Sequence, residues 1–348
     1  MKKPKIGISI GDINGIGPEV VIKAFSDKRM LNQCTPVIYA SLKTMIHHKK
    51  MLSTDEVRFE KIASAEHAKE GQLNIINCWN EIVDIKLGEV TETAGRMAHI
   101  SLDYCINDIK EQKIDAMVTA PINKKSMQLA NFPYPGHTEY LEKETEGNAL
   151  MMLCHEGLRV ALVTTHIPVS EIAKSLDKKR IMSTIERLNK SLKVDFGIER
   201  PQIAVLGLNP HAGDQGVMGD DEEKYIEPAL NEIKRKGIFA HGPFPADGFF
   251  GSSSYKNYDG IIAMYHDQGL VAFKSLSFGN GVNFTAGLNI VRTSPDHGTG
   301  FDIAGQDKAN SDSLRNAIYS AIDIYRNRSQ YIEDHKNQLQ PSAKKAER

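Results

Sequence analysis

Residues 5–25 read KIGISIGDINGIGPEVVIKAF. Lys5 to Ile10 alternate apolar with small or polar residues, the period of a strand; GDINGIGPE is a glycine turn; Val20 to Phe25 carry the apolar spacing of a helix. Pro18 suits the first helical turn, where its missing N–H is not needed, and Glu19 complements the positive end of the helix dipole. The same alternation continues outward from this unit. Strand-like runs fall at Pro36–Ala40, Ala116–Thr119, Val160–Thr165, Ile203–Leu208 and Gly260–Tyr265, and helix-like segments at Ala94–Lys110, Val169–Ser175, Lys179–Leu192, Asp221–Lys236 and Ser311–Arg326. Strands alternating with helices predict an α/β protein with a mostly parallel sheet, because parallel neighbours need crossover connections.

The chain has 348 residues, 43 basic and 44 acidic, a net charge of −1, 41% hydrophobic and 25% charged side chains. At roughly 150 residues per domain this predicts two cored domains. Basic residues are dispersed among acids, which argues against nucleic acid, since a duplex binder needs a basic face. Apolar runs such as Ala149–Cys154 fall far short of the roughly 20 residues that cross a bilayer. Asp12 interrupts any signal-peptide core behind the basic start, so a cytoplasmic protein is expected. Cys34, Cys78, Cys105 and Cys154 have no C-x-x-C spacing and read as reduced, buried thiols. The polar stretch Arg328–Arg348 is expected to fray. Pro133–Gly136 and Gly242–Gly251 read as long functional loops.

Three apolar runs close on histidine: VALVTTH at His166, IAVLGLNPH at His211 and IIAMYH at His266. Ligands in open α/β sheets bind outside the carboxyl ends of strands, so three imidazoles placed there can converge. Three neutral imidazoles suit a divalent transition metal and leave positions open for substrate. Each histidine alone reads as a hydrogen-bonded, half-buried residue, and it is the repetition that points to metal. Asp267, beside His266, and Asp247 in GPFPADGFF are candidate carboxylates for orienting a ligating imidazole or moving a proton; turn formation is the plain alternative. Gly15-x-Gly17 begins a dinucleotide fingerprint, but its third position is Val20, so tight-turn chemistry explains the pair equally well. His137 and Thr138 precede a helix-like stretch, where Thr138 would cap the helix or contact an anion. Lys274, Asn283 and Arg292, in a glycine-containing segment read as loop, could orient a small phosphorylated or carboxylated substrate.

GDINGIGPE, VTAPINK, GHTEYL, ALVTTHIP, GLNPHAG, AMYHDQGL and RTSPDHGT, in that order, resemble the 4-hydroxythreonine-4-phosphate dehydrogenase family of vitamin B6 biosynthesis over nearly the whole chain. The stretch from about Ser41 to Lys86 and the far carboxyl end carry no part of the likeness. The resemblance implies an isocitrate/isopropylmalate dehydrogenase-like α/β/α fold with two domains around a central cleft, about 1–128 plus 285–348 and about 129–284. It implies a homodimer with active sites at the subunit interface. It implies a divalent cation, zinc, magnesium or cobalt, held by His166, His211 and His266 with ligands from both subunits. Substrate contacts map to His137, Thr138, Lys274, Asn283 and Arg292, and the loop with Gly15 and Gly17 maps to the cleft for NAD or NADP. Asp247 and Lys274 are carried as catalytic candidates. Relatives usually read GDPAGIGPE where this chain has Ile13 and Asn14, and NPHAGEGGHMG where it has Asp214, Gln215 and Val217.

The implied reaction is NAD(P)-dependent oxidation of the C3 hydroxyl of 4-phosphooxy-L-threonine, followed by decarboxylation. Competing readings are a dehydrogenase for D-threonate or D-erythronate 4-phosphate, a three-histidine metal aldolase working without NAD, and a metabolite sensor without activity.

Overall fold

The computed structural model describes residues 3–54 and 57–336. Its strands are β1 Lys5–Ser9, β2 Thr35–Ala40, β3 Phe59–Ile62, β4 Leu73–Asn77, β5 Ala116–Thr119, β6 Gly147–His155, β7 Leu158–Leu162, β8 Gln202–Leu206, β9 Phe239–Phe244, β10 Gly260–Ala263, β11 Val282–Leu288 and β12 Arg292–Pro295. They form one sheet ordered β3-β4-β2-β1-β5-β12-β11-β6-β7-β10-β8-β9. Neighbours are parallel from β3 through β12 and again from β7 through β9. The pairs β12/β11, β11/β6 and β6/β7 are antiparallel, so the two parallel blocks run in opposite directions. The mostly parallel α/β architecture agrees with the sequence reading.

Helices cover both faces. A Cβ on Gly7 would strike Cys105 and Ile114, so helix Glu92–Lys110 packs on the face toward which Gly7 points. Register through Met117 puts Arg292 on that same face. Thr293 points the other way and donates to the Ala317 carbonyl of helix Asp312–His335. In the second block, Leu153, opposite Asn283, joins Val160, Leu206 and Ala263 under Leu270 and Phe273 of helix His266–Ser277. One face of the sheet therefore carries Arg292 and Asn283, and the helix bearing Lys274 covers part of it.

The four cysteines are free and buried, and burial pushes the Cys34 and Cys154 thiols up to about 12. Several local expectations are corrected. Gly242–Gly251 is the end of β9 followed by the short helix Ala246–Gly251, because Phe249 has a buried place to fill. The carboxyl-terminal helix does not stop at Arg326 but continues to His335. Arg328 holds it, bonding the Asp195 carboxylate and the carbonyls of Leu288 (3.1 Å) and Ile290 (2.8 Å). Residues 337–348 of that polar stretch lie outside the described residues.

Candidate active site

The histidine-terminated runs follow β7, β8 and β10, and β10 lies between the other two. Ladder bonds continue past the strand ends, Val163 N–H to Ala263 and Thr164 N–H to Met264, so His166 and His266 arrive side by side. Their ring centroids are 5.7 Å apart. Two imidazoles sharing one ion at metal–nitrogen distances of ~2.1 Å have centroids roughly 5–6 Å apart, so this pair fits a common divalent cation. His266 Nδ1 pairs with Asp267 Oδ1 at 2.7 Å, the carboxylate contact that fixes a ligating ring. Burial, then Lys124 and His266, pushes the His166 pKa down, which favours the neutral imidazole a metal needs. The pair opens on a cavity of about 610 Å³ walled by Ile167, Val169, Ile172 and Leu208.

His211 is presented differently. Residues 211–216 all have positive φ: His211 54°, Ala212 52°, Gly213 83°, Asp214 44°, Gln215 55° and Gly216 88°. Four are not glycine, and each such residue costs on the order of 1–3 kcal/mol unless its surroundings impose it. The buried Glu222 carboxylate lies against this turn, 2.7 Å from where a Cβ on Gly213 would sit. Its Oε1 accepts the N–H groups of Leu208 and Asn209, both at 2.7 Å, and its Oε2 accepts Asn209 Nδ2 at 2.9 Å. His211 itself is exposed, and no group of three or more His, Cys, Asp or Glu among the described residues is placed to hold a metal within one chain. Asp247 is exposed on helix Ala246–Gly251, which packs against the turn of His211.

A second cluster lies at the centre of the sheet. Arg292 opens β12 and is only 2% exposed, so it belongs to a strand and not to a solvated loop. Its guanidinium bonds hydroxyls alone: Thr119 Oγ1 from Nε (3.0 Å) and Nη2 (2.6 Å), and Thr285 Oγ1 from Nη1 (3.0 Å). It has no ion-pair partner among the described residues, and burial lowers its pKa to about 10 while Glu139 opposes. His137 starts helix His137–Glu144 behind the N-cap Gly136, so Thr138 is the second helical residue and not the cap. The His137 Nε2 is buried without a partner, and burial together with Arg292 pushes its pKa well below the usual histidine range. Asn283 Oδ1 is likewise buried and unpartnered. A buried guanidinium with no carboxylate partner among the described residues, close enough to an unpartnered imidazole to shift it, suits an anionic ligand, while the Asn283 oxygen would need a donor such as an ammonium or hydroxyl. Lys274 lies on helix His266–Ser277, its Nζ 3.5 Å from Asp296 Oδ1.

At the glycine turn, a Cβ on Gly15 would sit 2.6 Å from the Thr299 carbonyl and one on Gly17 2.2 Å from that of Ile10. Close packing thus accounts for both glycines. The Asn14 amide donates to the Glu89 carbonyl (2.9 Å) and Thr91 Oγ1 (3.0 Å), its Oδ1 accepts the Lys86 N–H (2.9 Å), and its carbonyl accepts the Gly88 N–H (2.8 Å). Segment 86–91 is thereby strapped to the turn, beside the 299–305 loop that Gly88 and Gly305 allow to approach closely. The second carboxylate oxygen of Asp12, on the same turn, is buried without a partner.

A family model described as pyridoxal phosphate biosynthetic protein PdxA matches residues 32–321. The chain belongs to the PdxA family. A 4-hydroxythreonine-4-phosphate dehydrogenase of Bacteroides thetaiotaomicron is 50% identical over 328 residues, 94% of this chain and 90% of the relative. The crystal structure of 4-hydroxythreonine-4-phosphate dehydrogenase from Klebsiella pneumoniae superimposes with a TM-score of 0.82 at 35% identity, covering 93% of this chain and 98% of that one. A protein of Oceanobacillus iheyensis provisionally named D-threonate 4-phosphate dehydrogenase is 38% identical, covering 93% of this chain and 98% of its own. The large central sheet flanked by helices agrees with that PdxA-type crystal structure.

Within this PdxA chain the sequence reading missed Thr119, Thr285, Glu222 and Asp296. Thr119 stood inside the VTAPINK motif but was read only as the end of a strand. Thr285 acts through register, lying opposite Arg292 across β11 and β12, and a single sequence does not display register.

Proposed function

We propose that this PdxA-family chain oxidises the C3 hydroxyl of 4-phosphooxy-L-threonine to 2-amino-3-oxo-4-phosphooxybutanoate, which loses CO2 to give 3-amino-2-oxopropyl phosphate for pyridoxal 5′-phosphate. Family membership supports the oxidoreductase class. The observation that carries the substrate class is Arg292, a buried guanidinium satisfied by two threonine hydroxyls and by no carboxylate among the described residues. Its planar fork, with His137 near enough to feel its charge, suits a small dianionic substrate, to which Thr138, Asn283 and, on the covering helix, Lys274 would add further polar contacts.

His166, His211 and His266 would hold one divalent cation, zinc, magnesium or cobalt, which when bound supplies a Lewis acid at the reacting hydroxyl. His166 and His266 face each other within one chain while His211 stands exposed, so a homodimer in which a second copy completes the site accounts for both facts. NAD or NADP, the hydride acceptor, would lie against the junction of the Gly15–Gly17 turn, the 86–91 strap and the 299–305 loop. When bound, the nicotinamide would supply the hydride acceptor for the C3 hydrogen, and this chain's own part would be to take the hydroxyl proton, for which Lys274 and Asp247 are the candidate bases. The sheet's two parallel blocks fit two lobes around a cleft, about 1–128 plus 285–348 and about 129–284, in an isocitrate/isopropylmalate dehydrogenase-like arrangement. No helix among the described residues is long and apolar enough to cross a membrane.

The deciding experiment is NADH or NADPH formation with 4-phosphooxy-L-threonine, D-threonate 4-phosphate and D-erythronate 4-phosphate, before and after chelation. Turnover confined to the amino acid and abolished by chelation is expected. Preference for a sugar acid would transfer the chain to the activity named for the Oceanobacillus relative, and absence of any reduced nicotinamide would sink the dehydrogenase reading.

A further inference from the structure

Glu222 stands outside the three-histidine set and outside the anion pocket, yet it is the buried acid nearest the most strained backbone of the chain. It opens a single π turn, Glu222–Ile226, an irregularity that in helices frequently marks functional positions. It is 2% exposed and has no ion-pair partner among the described residues. Its carboxylate is satisfied instead by the Leu208 and Asn209 amides and by the Asn209 side chain. Asn209 is tied a second time, to Asp221 Oδ2 at 3.0 Å. The left-handed run starts two residues later, at His211, and its Gly213 lies so close that a Cβ there would meet Glu222 Oε2 at 2.7 Å. The carboxylate therefore contacts the segment on both sides of His211.

A stability role alone does not require this arrangement. β8 ends at Leu206, and Gly207 is held separately, its N–H by the Phe244 carbonyl and its carbonyl by Gln268 Nε2, so the Glu222 bonds to Leu208 and Asn209 bear on the turn beyond the strand. What the clamp preserves is the direction in which residue 211 leaves the sheet. We infer that Glu222 is a positioning residue for His211, holding the left-handed turn so that the imidazole is presented outward, preformed, to a divalent cation. This rests on the reading of His211 as a metal ligand. Groups that orient a ligand without touching the metal typically change its affinity by about 10–100-fold, and that is the scale expected here.

The test is calorimetric titration of metal-free protein with Co2+, alongside the visible absorption of the Co2+ complex and thermal unfolding without metal. Four variants are compared with the parent: His211→Ala, Glu222→Ala, Glu222→Asp and Glu222→Gln. Glu222→Asp keeps the charge but withdraws the oxygens by one methylene, and is expected to weaken Co2+ by about 10–100-fold and alter the cobalt spectrum while remaining folded. Glu222→Gln retains an oxygen able to accept both backbone amides but turns an NH2 toward the Asn209 Nδ2 donor, so its affinity should fall between those of the parent and Glu222→Ala. Unchanged affinity and spectrum in folded Glu222→Asp and Glu222→Ala, with His211→Ala impaired, would overturn the inference. His211→Ala binding Co2+ like the parent would instead overturn the ligand reading on which it rests.

Discussion

Arg292 concentrates the chemistry of the central pocket in one side chain, and its neighbours define what may replace it. Both threonine hydroxyls bond its fork, so a lysine, with a compact ammonium and no fork, leaves Thr119 or Thr285 without its partner. Lysine keeps the charge but loses the fork, and a hydrogen bond to a charged group is worth about 1.5–3 kcal/mol. Arg292→Lys is therefore expected to lower kcat/KM for the phosphorylated substrate by roughly 10- to 100-fold in a protein that still folds; equal kcat/KM would show that Arg292 does not meet the anion. His48 makes a different kind of prediction. It is 2% exposed, its ring bonds the Ile13 backbone, and burial lowers its pKa from 6.5 to about 4. The unfolded chain takes up this proton as pH falls through 6.5 and the folded chain does not until about 4, so His48 favours unfolding progressively across that window. Full stability is present above pH 6.5, and about 3 kcal/mol is lost by pH 4 from this residue. Urea unfolding of His48→Gln between pH 7 and 4.5 should show a shallower decline than the parent; parallel curves would remove His48 from the account.

Among the elements, the strap 86–91 is the one that Asn14 of the glycine turn holds in place. An alanine at position 14 would supply no side-chain bond, whereas Asn14 supplies three, one of them to Thr91, whose hydroxyl also caps helix Glu92–Lys110 at the Ala94 N–H. Asn14→Ala removes the part-buried bonds to the Glu89 carbonyl and the Lys86 amide, at about 0.5–1.5 kcal/mol for each, or about 1–3 kcal/mol for the two. Hydrogen exchange at residues 86–91 should accelerate in that variant and unfolding free energy should fall by that amount; an unchanged exchange pattern would mean that the strap is held by other contacts. The same element scale shows what a sequence can reveal. Lys5–Ile10, Ala116–Thr119 and Gly260–Tyr265 were legible because they are apolar runs buried on both faces, and the three histidines were legible because each closes such a run. β12, with the sequence RTSP, was not: every residue is buried, but three are polar, and Arg292 and Thr293 are satisfied by partners on another strand and on a helix. β9, FAHGPF, hides behind glycine and proline at the sheet's edge. Glu222 escaped because its role arises from a turn of left-handed backbone that no residue type in NPHAGDQG announces.

For the whole molecule, the arrangement of histidines yields a test of assembly. If His166 and His266 of one copy meet His211 of another, then His211→Ala and His266→Ala each remove both sites of a dimer of their own kind. A mixed dimer of the two keeps one intact site. Random reassociation of equal amounts should restore about a quarter of parental activity, since half the dimers are mixed and each has one of two sites. No recovery, with exchange of subunits verified by mass spectrometry, would place all three ligands in a single chain.

The order of strands in the sheet has a consequence for synthesis. β12 lies between β5 and β11, yet it is made after both. The whole second block, β6 to β11, leaves the ribosome while β5 still has a bare edge of unpaired amides and carbonyls, the kind of edge that invites pairing with other chains. Only when residues 292–295 emerge is that edge sealed, and the helix Asp312–His335 that covers the seam follows last. Nascent chains stalled before residue 292 are thus the aggregation-prone species of this fold, and binding of a chaperone holdase should peak there and fall once β12 is released.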